Sequence, residues 1–220
     1  MPQPAFLSST IGRKVIMAVT GLMLVGFVCI HMIGNLLLYQ GPEAINEYGR
    51  FLKEFLHGQG IWLARATLLG AVVLHIGSAV SLAREELAAR PVRYRQWKPK
   101  RSTYASRTMR WSGVILLSFI VFHLLHLTTG GAHPDFIEGD VYHNVVVGFS
   151  AWPVALFYAI SMVLLGLHLR HGIWSLFQSL GVSHPRYLAM AQAAATVISA
   201  IVVLGNLSFP LSVLFGLVGR

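Results

Sequence analysis

Five long apolar segments dominate this 220-residue sequence and limit the folds that are open to it. They cover residues 15–39, 61–83, 110–130, 150–177 and 189–217. About 20 mainly apolar residues are enough for a helix to cross the hydrocarbon core of a bilayer. Only 11% of the residues are charged, well below the roughly one quarter that is usual in soluble domains. We therefore predict an all-α, integral membrane five-helix bundle that forms one domain over residues 1–220.

The ends of the first and last apolar segments need separate arguments. Arg13 and Lys14 precede the first segment, as basic residues precede the core of a signal peptide. The segment is too long for such a core, however, and no clear small-residue cleavage site follows it. We interpret it as an uncleaved first span. In the fifth segment we expect Pro210 to kink or end the helix.

The distribution of basic residues predicts the orientation of the bundle, because lysine and arginine are enriched in cytoplasmic loops. Most of the 17 lysines and arginines lie on the side of the N-terminus. We expect this side to be cytoplasmic in a multi-pass protein of the cell inner membrane. The same asymmetry explains the net charge of +9, so no nucleic-acid partner is implied. The residues on this side are Arg13, Lys14, Arg84, Arg90, Arg93, Arg95, Lys98, Lys100, Arg101, Arg107, Arg110, Arg170 and Arg186.

Six of the ten histidines lie inside the predicted spans, and each of the first four spans contains at least one. A lone histidine in a membrane helix is usually a hydrogen-bonding residue between helices. Ionisable residues within spans nevertheless suggest function, and neutral imidazole is a common ligand of metals, haem iron included. The distribution over four helices favours ligation. These residues are His31, His75, His123, His126, His168 and His171.

The depth of each histidine in the membrane follows from the helical rise of 1.5 Å per residue. His31 lies roughly 25 Å from the inner boundary, and His123 and His126 lie roughly 20 and 24 Å from it. His75 lies only about 13 Å from that boundary, and His168 shares the inner half with it. The counts predict an outer histidine pair from spans one and three and an inner pair from spans two and four. A bundle with two stacked haems fits this arrangement.

Spans three and four each carry two histidines three residues apart, which share a helix face. Depth alone slightly favours His126 over His123 in span three, and His168 over His171 in span four. The second member of each doublet is a candidate for contact with a haem propionate, a quinone or a polar cavity. Arg170 either neutralises a propionate of the inner haem or extends to the membrane surface.

Four motifs, in order along the chain, point to a known family. They are HMIGN followed by QGPEAINEYGRFL, then VVLHIGSAVSLA, then RWSGVILLSFIVFH, and finally LHLRHGIWSLFQSLGVSHPR. In the third motif Gly113 precedes His123 by ten residues, an interval that the family keeps. With these motifs the sequence resembles the single-chain, five-helix, dihaem cytochrome b subunit of succinate dehydrogenases and menaquinol-fumarate reductases.

The resemblance implies the ligands and the partners. It pairs His31 with His123 at the outer haem and His75 with His168 at the inner haem, and so chooses His123 over His126. It implies a membrane anchor for a flavoprotein subunit and an iron–sulfur subunit on the cytoplasmic face, with loop 84–110 as a candidate docking surface. Such a subunit carries electrons between succinate and menaquinone or another quinone. It performs no dicarboxylate chemistry of its own.

A quinone site requires proton donors beside the quinone carbonyls. The residues near the outer haem that offer such groups also suit ordinary loop positions. Some relatives carry an acidic residue at the position of Lys53, and here Glu54 is the nearest carboxylate. The candidates are Asn35, Tyr39, Glu43, Glu47, Tyr48, Lys53, Glu54 and His126.

Three other functions remain open at this stage. The chain could be the dihaem cytochrome b subunit of another quinone-linked enzyme, such as a hydrogenase, a formate dehydrogenase or a nitrate reductase. It could be a metal transporter whose histidines line one pathway, or a structural anchor without a cofactor. The first differs from our prediction in its partner, and the other two differ in lacking haem.

Overall fold

The computed structural model describes residues 9–89, 104–182 and 184–219, and for residues 104–107 it describes the helix backbone alone. All regular structure within these ranges is helical. Much of the basic loop proposed for docking lies outside the described residues. The positions concerned are Arg90, Arg93, Arg95, Lys98, Lys100 and Arg101.

The predicted all-α fold with five membrane spans is confirmed. The spans are the long helices α1, α3, α4, α6 and α7, each of which is long and apolar enough to cross a membrane. The predicted limits differ from the observed ones by two to six residues. In chain order the helices are α1 (Thr10–Asn35), α2 (Pro42–Glu54), α3 (Gln59–Ala88), α4 (Tyr104–Leu127), α5 (Val141–Ser150), α6 (Trp152–Ser179) and α7 (Pro185–Leu214), and a 3₁₀ turn (Leu36–Gln40) extends α1.

Apolar length alone does not predict the two short helices α2 and α5, because neither contains an apolar run long enough to cross a membrane. Gly41, with a φ of +102°, turns the chain into α2, and Pro42 occupies its first turn. Asp140 caps α5 by accepting a hydrogen bond from the His143 N–H at 3.0 Å. Both helices lie between the ends of spans on the predicted outer side.

The expectation that Pro210 ends the fifth helix is wrong, because α7 continues past it to Leu214. Pro210 itself is buried. Hydroxyl side chains donate to carbonyls in the same turns, Ser208 to Gly205 and Ser212 to Phe209.

Helix α6 is the centre of the bundle and packs against α7, α4 and α1, while α3 packs mainly against α1. Small residues allow the closest approach, as is usual between membrane helices. A Cβ atom added to Gly166 would lie 2.3 Å from a methyl carbon of Val203. Ala195 and Ser161 are fully buried in the same region. The cross-section that results leaves a space between the pair α1–α3 and the pair α4–α6.

Candidate haem sites

A continuous cavity of about 3220 Å³ occupies the space between α1, α3, α4 and α6. Most of its lining is apolar, and its volume is several times the 300–1,000 Å³ of an ordinary ligand pocket. Basic side chains line its ends, with Lys14, Arg84 and Arg110 at one end and Arg50 and Arg65 at the other. The histidines in the lining are His31, His75, His123, His168 and His171.

Four of these histidines form two facing pairs. The ring centroids of His31 on α1 and His123 on α4 are 5.8 Å apart, and the ring planes meet at 83°. The centroids of His75 on α3 and His168 on α6 are 6.3 Å apart, with an interplanar angle of 56°. One metal ion between two imidazoles requires roughly 6 Å between centroids, since each metal–nitrogen bond is about 2.0–2.1 Å.

In three of the four rings Nδ1 faces an oxygen atom of a neighbouring helix. His75 Nδ1 lies 3.2 Å from the Met17 carbonyl oxygen and 3.3 Å from Thr20 Oγ1. His168 Nδ1 lies 3.3 Å from Ser112 Oγ, and His123 Nδ1 lies 3.3 Å from the Tyr158 hydroxyl. The fourth ring, His31, stacks on Phe27.

These contacts determine which ring nitrogen carries the proton. The Met17 carbonyl can only accept, so His75 Nδ1 is the donor and its Nε2 keeps a free lone pair. Ser112 Oγ donates its own proton to the Met109 carbonyl at 3.1 Å and can therefore accept from His168 Nδ1. In the described part of the chain, Nε2 of neither His75 nor His168 has a hydrogen-bond partner. A donated Nδ1–H with a free Nε2 is the usual state of a metal-ligating imidazole.

The two pairs lie at two levels of the bundle, and one spacing occurs in both α1 and α4. Thr20 contacts the inner-pair residue His75, and the outer-pair residue His31 follows Thr20 by 11 residues. Ser112 likewise contacts His168 and precedes His123 by 11 residues. At 1.5 Å per residue the levels are about 16 Å apart. A glycine follows each hydroxyl residue: a Cβ atom would lie 3.3 Å from His75 at Gly21 and 4.0 Å from His168 at Gly113.

The donor set at each level fits haem better than a bare ion. Among the described residues no group of three or more histidine, cysteine, aspartate or glutamate side chains could hold a metal ion. Two imidazoles do not complete the tetrahedral shell of zinc, whereas they do complete the coordination of an iron that a porphyrin already holds with four nitrogens. The apolar walls of the cavity suit the faces of such a group.

Residues 88–205, more than half of the chain, match the family described as the succinate dehydrogenase/fumarate reductase transmembrane subunit. The chain belongs to this family. The matched segment runs from the end of α3 into α7 and includes His123 and His168, while His31 and His75 precede it. No curated protein and no solved structure matches the chain significantly. With its five membrane-length helices, the subunit is a multi-pass integral membrane protein.

The second histidine of the α4 doublet does not line the cavity of the subunit. His126 is fully buried beside α5 and α6, where its Nδ1 lies 3.0 Å from the Tyr158 hydroxyl. Its ring stacks on Phe122, with centroids 5.3 Å apart. A Cβ atom at Gly148 would lie 2.7 Å from His126 Nε2, so α5 closes that side. His126 therefore faces away from His31.

The second histidine of the α6 doublet and Arg170 have different surroundings. His171 lines the cavity beside Trp174, and its buried Nδ1 has no partner within the described ranges. Arg170 points toward α7, where its Nε donates to Thr196 Oγ1 at 3.2 Å. Of the two, His171 is the residue placed to contact a molecule in the cavity.

The quinone candidates also divide into residues that line the cavity and residues that do not. Asn35 and Lys53 line the outer part of the cavity. The Tyr39 hydroxyl donates to Ser208 Oγ at 2.7 Å, and Tyr48 packs so tightly on Gly34 that a Cβ there would meet its ring at 2.6 Å. The carboxylates of Glu43, Glu47 and Glu54 are not among the groups that line the cavity.

Sequence reasoning missed the oxygen partners of the histidines. Thr20, Ser112 and Tyr158 are ordinary residues of apolar helices when they are seen alone. The sequence does carry a signal for Thr20 and Ser112. In both α1 and α4 a hydroxyl residue is followed directly by a glycine and, after nine further residues, by a histidine. No comparable spacing marks Tyr158, whose role depends on the packing of α6 against α4.

Proposed function

We propose that this chain is the cytochrome b membrane anchor of a succinate:quinone oxidoreductase, and that it binds two b haems and carries electrons between an iron–sulfur subunit and a quinone. The observation that carries the proposal is that four histidines form two facing pairs at two levels of one apolar cavity. Membership of the succinate dehydrogenase/fumarate reductase transmembrane subunit family supports the choice of enzyme.

In this proposal His31 and His123 would hold the iron of the outer haem, and His75 and His168 would hold that of the inner haem. A bound b haem supplies a one-electron couple at its iron. The contacts at Nδ1 of His75, His123 and His168 leave Nε2 of these rings available to a ligand, and the apolar walls would keep water away from the site. The basic residues at the cavity ends, such as Arg84 and Arg50, are available to the propionate carboxylates. His171 is a further contact at the inner site.

The quinone is expected at the outer end of the cavity. Asn35 lies one helical turn beyond His31 and offers an amide donor to a quinone carbonyl. Lys53 lies nearby on α2 and forms a 3.8 Å ion pair with Glu138, so it links the cavity to the outer surface. Menaquinone or another quinone fits this role, and Tyr39, Glu47, Tyr48 and Glu54 remain outer candidates around it.

The partners are expected at the opposite, inner end of the bundle in the cytoplasmic membrane. The basic loop after α3, together with Arg84 and Arg110, offers a positive surface to a flavoprotein and an iron–sulfur subunit. In the described region Arg13 pairs with Glu85, and Arg110 pairs with Glu86 at 2.7 Å. These ion pairs hold the inner ends of α1, α3 and α4 together.

The test is a dithionite-reduced minus oxidised spectrum of the purified complex, with haem quantified per polypeptide. We expect two b haems per chain and a copurifying flavoprotein that oxidises succinate. Folded protein without haem would contradict the cytochrome assignment. Two haems with a hydrogenase, formate dehydrogenase or nitrate reductase partner would instead assign the chain to another quinone-linked enzyme.

A further inference from the structure

The α4 histidine doublet shares one hydroxyl group. Tyr158 Oη lies 3.3 Å from His123 Nδ1 and 3.0 Å from His126 Nδ1. The tyrosine is almost fully buried, and its ring packs edge-on against Phe119 and Phe149. Within the described ranges these two imidazole nitrogens are its only hydrogen-bond partners.

The hydroxyl has a single proton, so only one of the two contacts can be a donation by Tyr158. If the proton pointed to His123 Nδ1, the proton of that ring would lie on Nε2, where iron has to bind. If it points to His126 Nδ1, then His123 donates its Nδ1–H to the tyrosine oxygen and keeps Nε2 free. The second arrangement reproduces the state that Met17 and Ser112 give to the two inner ligands.

The far side of His126 makes no hydrogen bond that competes with this direction. Its Nε2 carries the proton in this arrangement and is buried without a partner among the described residues. The neighbouring His133, whose ring centroid is 5.0 Å away, offers no acceptor. Its Nε2 donates to the Asn144 carbonyl at 2.9 Å, and its Nδ1 accepts from the Asp135 N–H at 3.1 Å. No contact on the far side of His126 therefore fixes its tautomer, and the direction of the Tyr158 hydroxyl follows from the ligand role proposed for His123.

We propose that Tyr158 is a positioning residue for the outer haem, which accepts the Nδ1–H of His123 and donates to His126, and so fixes the orientation and the electron-donating strength of that ligand. The inference rests on the proposed function. A partner that accepts the second ring proton makes a ligating imidazole more basic. A more basic ligand stabilises the ferric state, so loss of the hydroxyl raises the midpoint potential of one haem.

The test uses Tyr158→Phe in the holoprotein, since phenylalanine keeps the ring packing and removes only the hydroxyl. We expect a potentiometric titration to show an upward shift for one haem and none for the other. The low-spin ferric EPR signal of the same haem is expected to change as well, because the angle between the planes of His31 and His123 is no longer fixed. Ser112→Ala is expected to shift the other haem, which identifies the two.

Tyr142→Phe serves as the matched control, because no histidine contact of its hydroxyl is present in the described residues. Unchanged potentials in Tyr158→Phe, or an equal shift of both haems, would overturn the proposal.

If Tyr158→Phe fails to assemble, His126→Leu and His126→Asn replace it. Leucine removes the acceptor and is expected to raise the potential of the same haem, whereas asparagine keeps an acceptor near the Nδ1 position and is expected to preserve it. Equal midpoint potentials in His126→Leu and His126→Asn would also overturn the proposal.

A wild-type chain without haem contradicts the proposed function itself. Two haems with no response to Tyr158→Phe contradict only the inference.

Discussion

The imidazoles of His123 and His126 are one helical turn apart on α4, yet they have opposite surroundings. Counting residues gave their depths, but three residues of helix amount to only about 4.5 Å, too little to separate two candidates. Whether His123 or His126 faces the cavity depends on the rotation of α4 about its own axis. The packing of α5 and α6 sets this rotation. The pairing of spans was therefore within reach of the sequence, while the side on which each ring lies was not.

This difference leads to a prediction for haem content. We expect His123→Ala and His168→Ala each to lose about half of the haem, since each removes one ligand of one pair. His126→Ala and His171→Ala are expected to retain both haems. The measurement is pyridine haemochrome quantification per purified chain. Loss of one haem in His126→Ala with full retention in His123→Ala would reverse the assignment of the α4 doublet.

The glycine beside the inner pair leads to a second prediction. A side chain at Gly21 meets the ring of His75, since even a Cβ atom there lies 3.3 Å from it, whereas a Cβ at Gly26 has no neighbour within 4 Å. We expect Gly21→Leu to lower inner haem occupancy at least several-fold, since disturbing the groups that orient a metal ligand typically costs 10–100-fold in metal affinity. Gly26→Leu, in the same helix, is the control that should keep both haems. Equal occupancy in the two variants would show that Gly21 does not position the ring.

At the scale of elements, the five spans followed from apolar length alone, but the short outer helices did not. Helices α2 and α5 depend on each other through Asn46. Its amide donates to Asp140 at 3.0 Å and its carbonyl oxygen accepts from the Tyr142 N–H at 3.0 Å. The contact joins residues almost one hundred positions apart, so no local pattern indicates it. Apolar length predicts the helices that cross the membrane. The short helices at its surface depend on contacts between distant segments of the chain.

The cap of α5 leads to a prediction for pH dependence. The His143 N–H and the Asn46 amide hold the pKa of Asp140 below its ordinary value. Because the folded-state pKa is the lower one, this stabilisation is present above the unfolded pKa of about 4 and is lost as the pH falls through the folded pKa. We expect Asp140→Ala to lose about 1 kcal/mol of stability at neutral pH. The difference from wild type should shrink below pH 4.

Thermal unfolding in detergent between pH 3 and pH 7 measures this effect. Glu138→Gln is the control, since the carboxylate of Glu138 is 90% exposed and its pair with Lys53 is long. A difference between wild type and Asp140→Ala that is constant over the whole range would show that the charge of Asp140 has no part in the cap.

At the scale of the whole molecule, the outer surface of the bundle is apolar and the charges gather at its ends. Side chains such as Leu69, Val73, Val197 and Ile201 are more than half exposed, as lipid-facing residues should be. Their exposure agrees with the family assignment and with the five spans. The direction of insertion is a prediction from the basic residues alone.

Cysteine labelling tests the direction. Cys29 is the sole cysteine of the sequence, so Cys29→Ser provides a background without thiols. Ala89 and Ala132 are both exposed and lie at opposite ends of the bundle. With an impermeant maleimide on intact cells, we expect Ala132→Cys to be labelled and Ala89→Cys to be labelled only after permeabilisation. The reverse pattern would invert the topology.

The recurrence of a hydroxyl residue, a glycine and a histidine in α1 and α4 divides the chain into two similar hairpins, α1 with α3 and α4 with α6. Each proposed iron is held by one ligand from each hairpin, and neither hairpin holds both ligands of either iron. Porphyrin binding would therefore cross-link the two hairpins at two levels. If the chain were cut between α3 and α4, each iron would still join the two halves. Without the haems, direct contacts would still hold them, such as those of α6 with α1 and of Asn46 with α5.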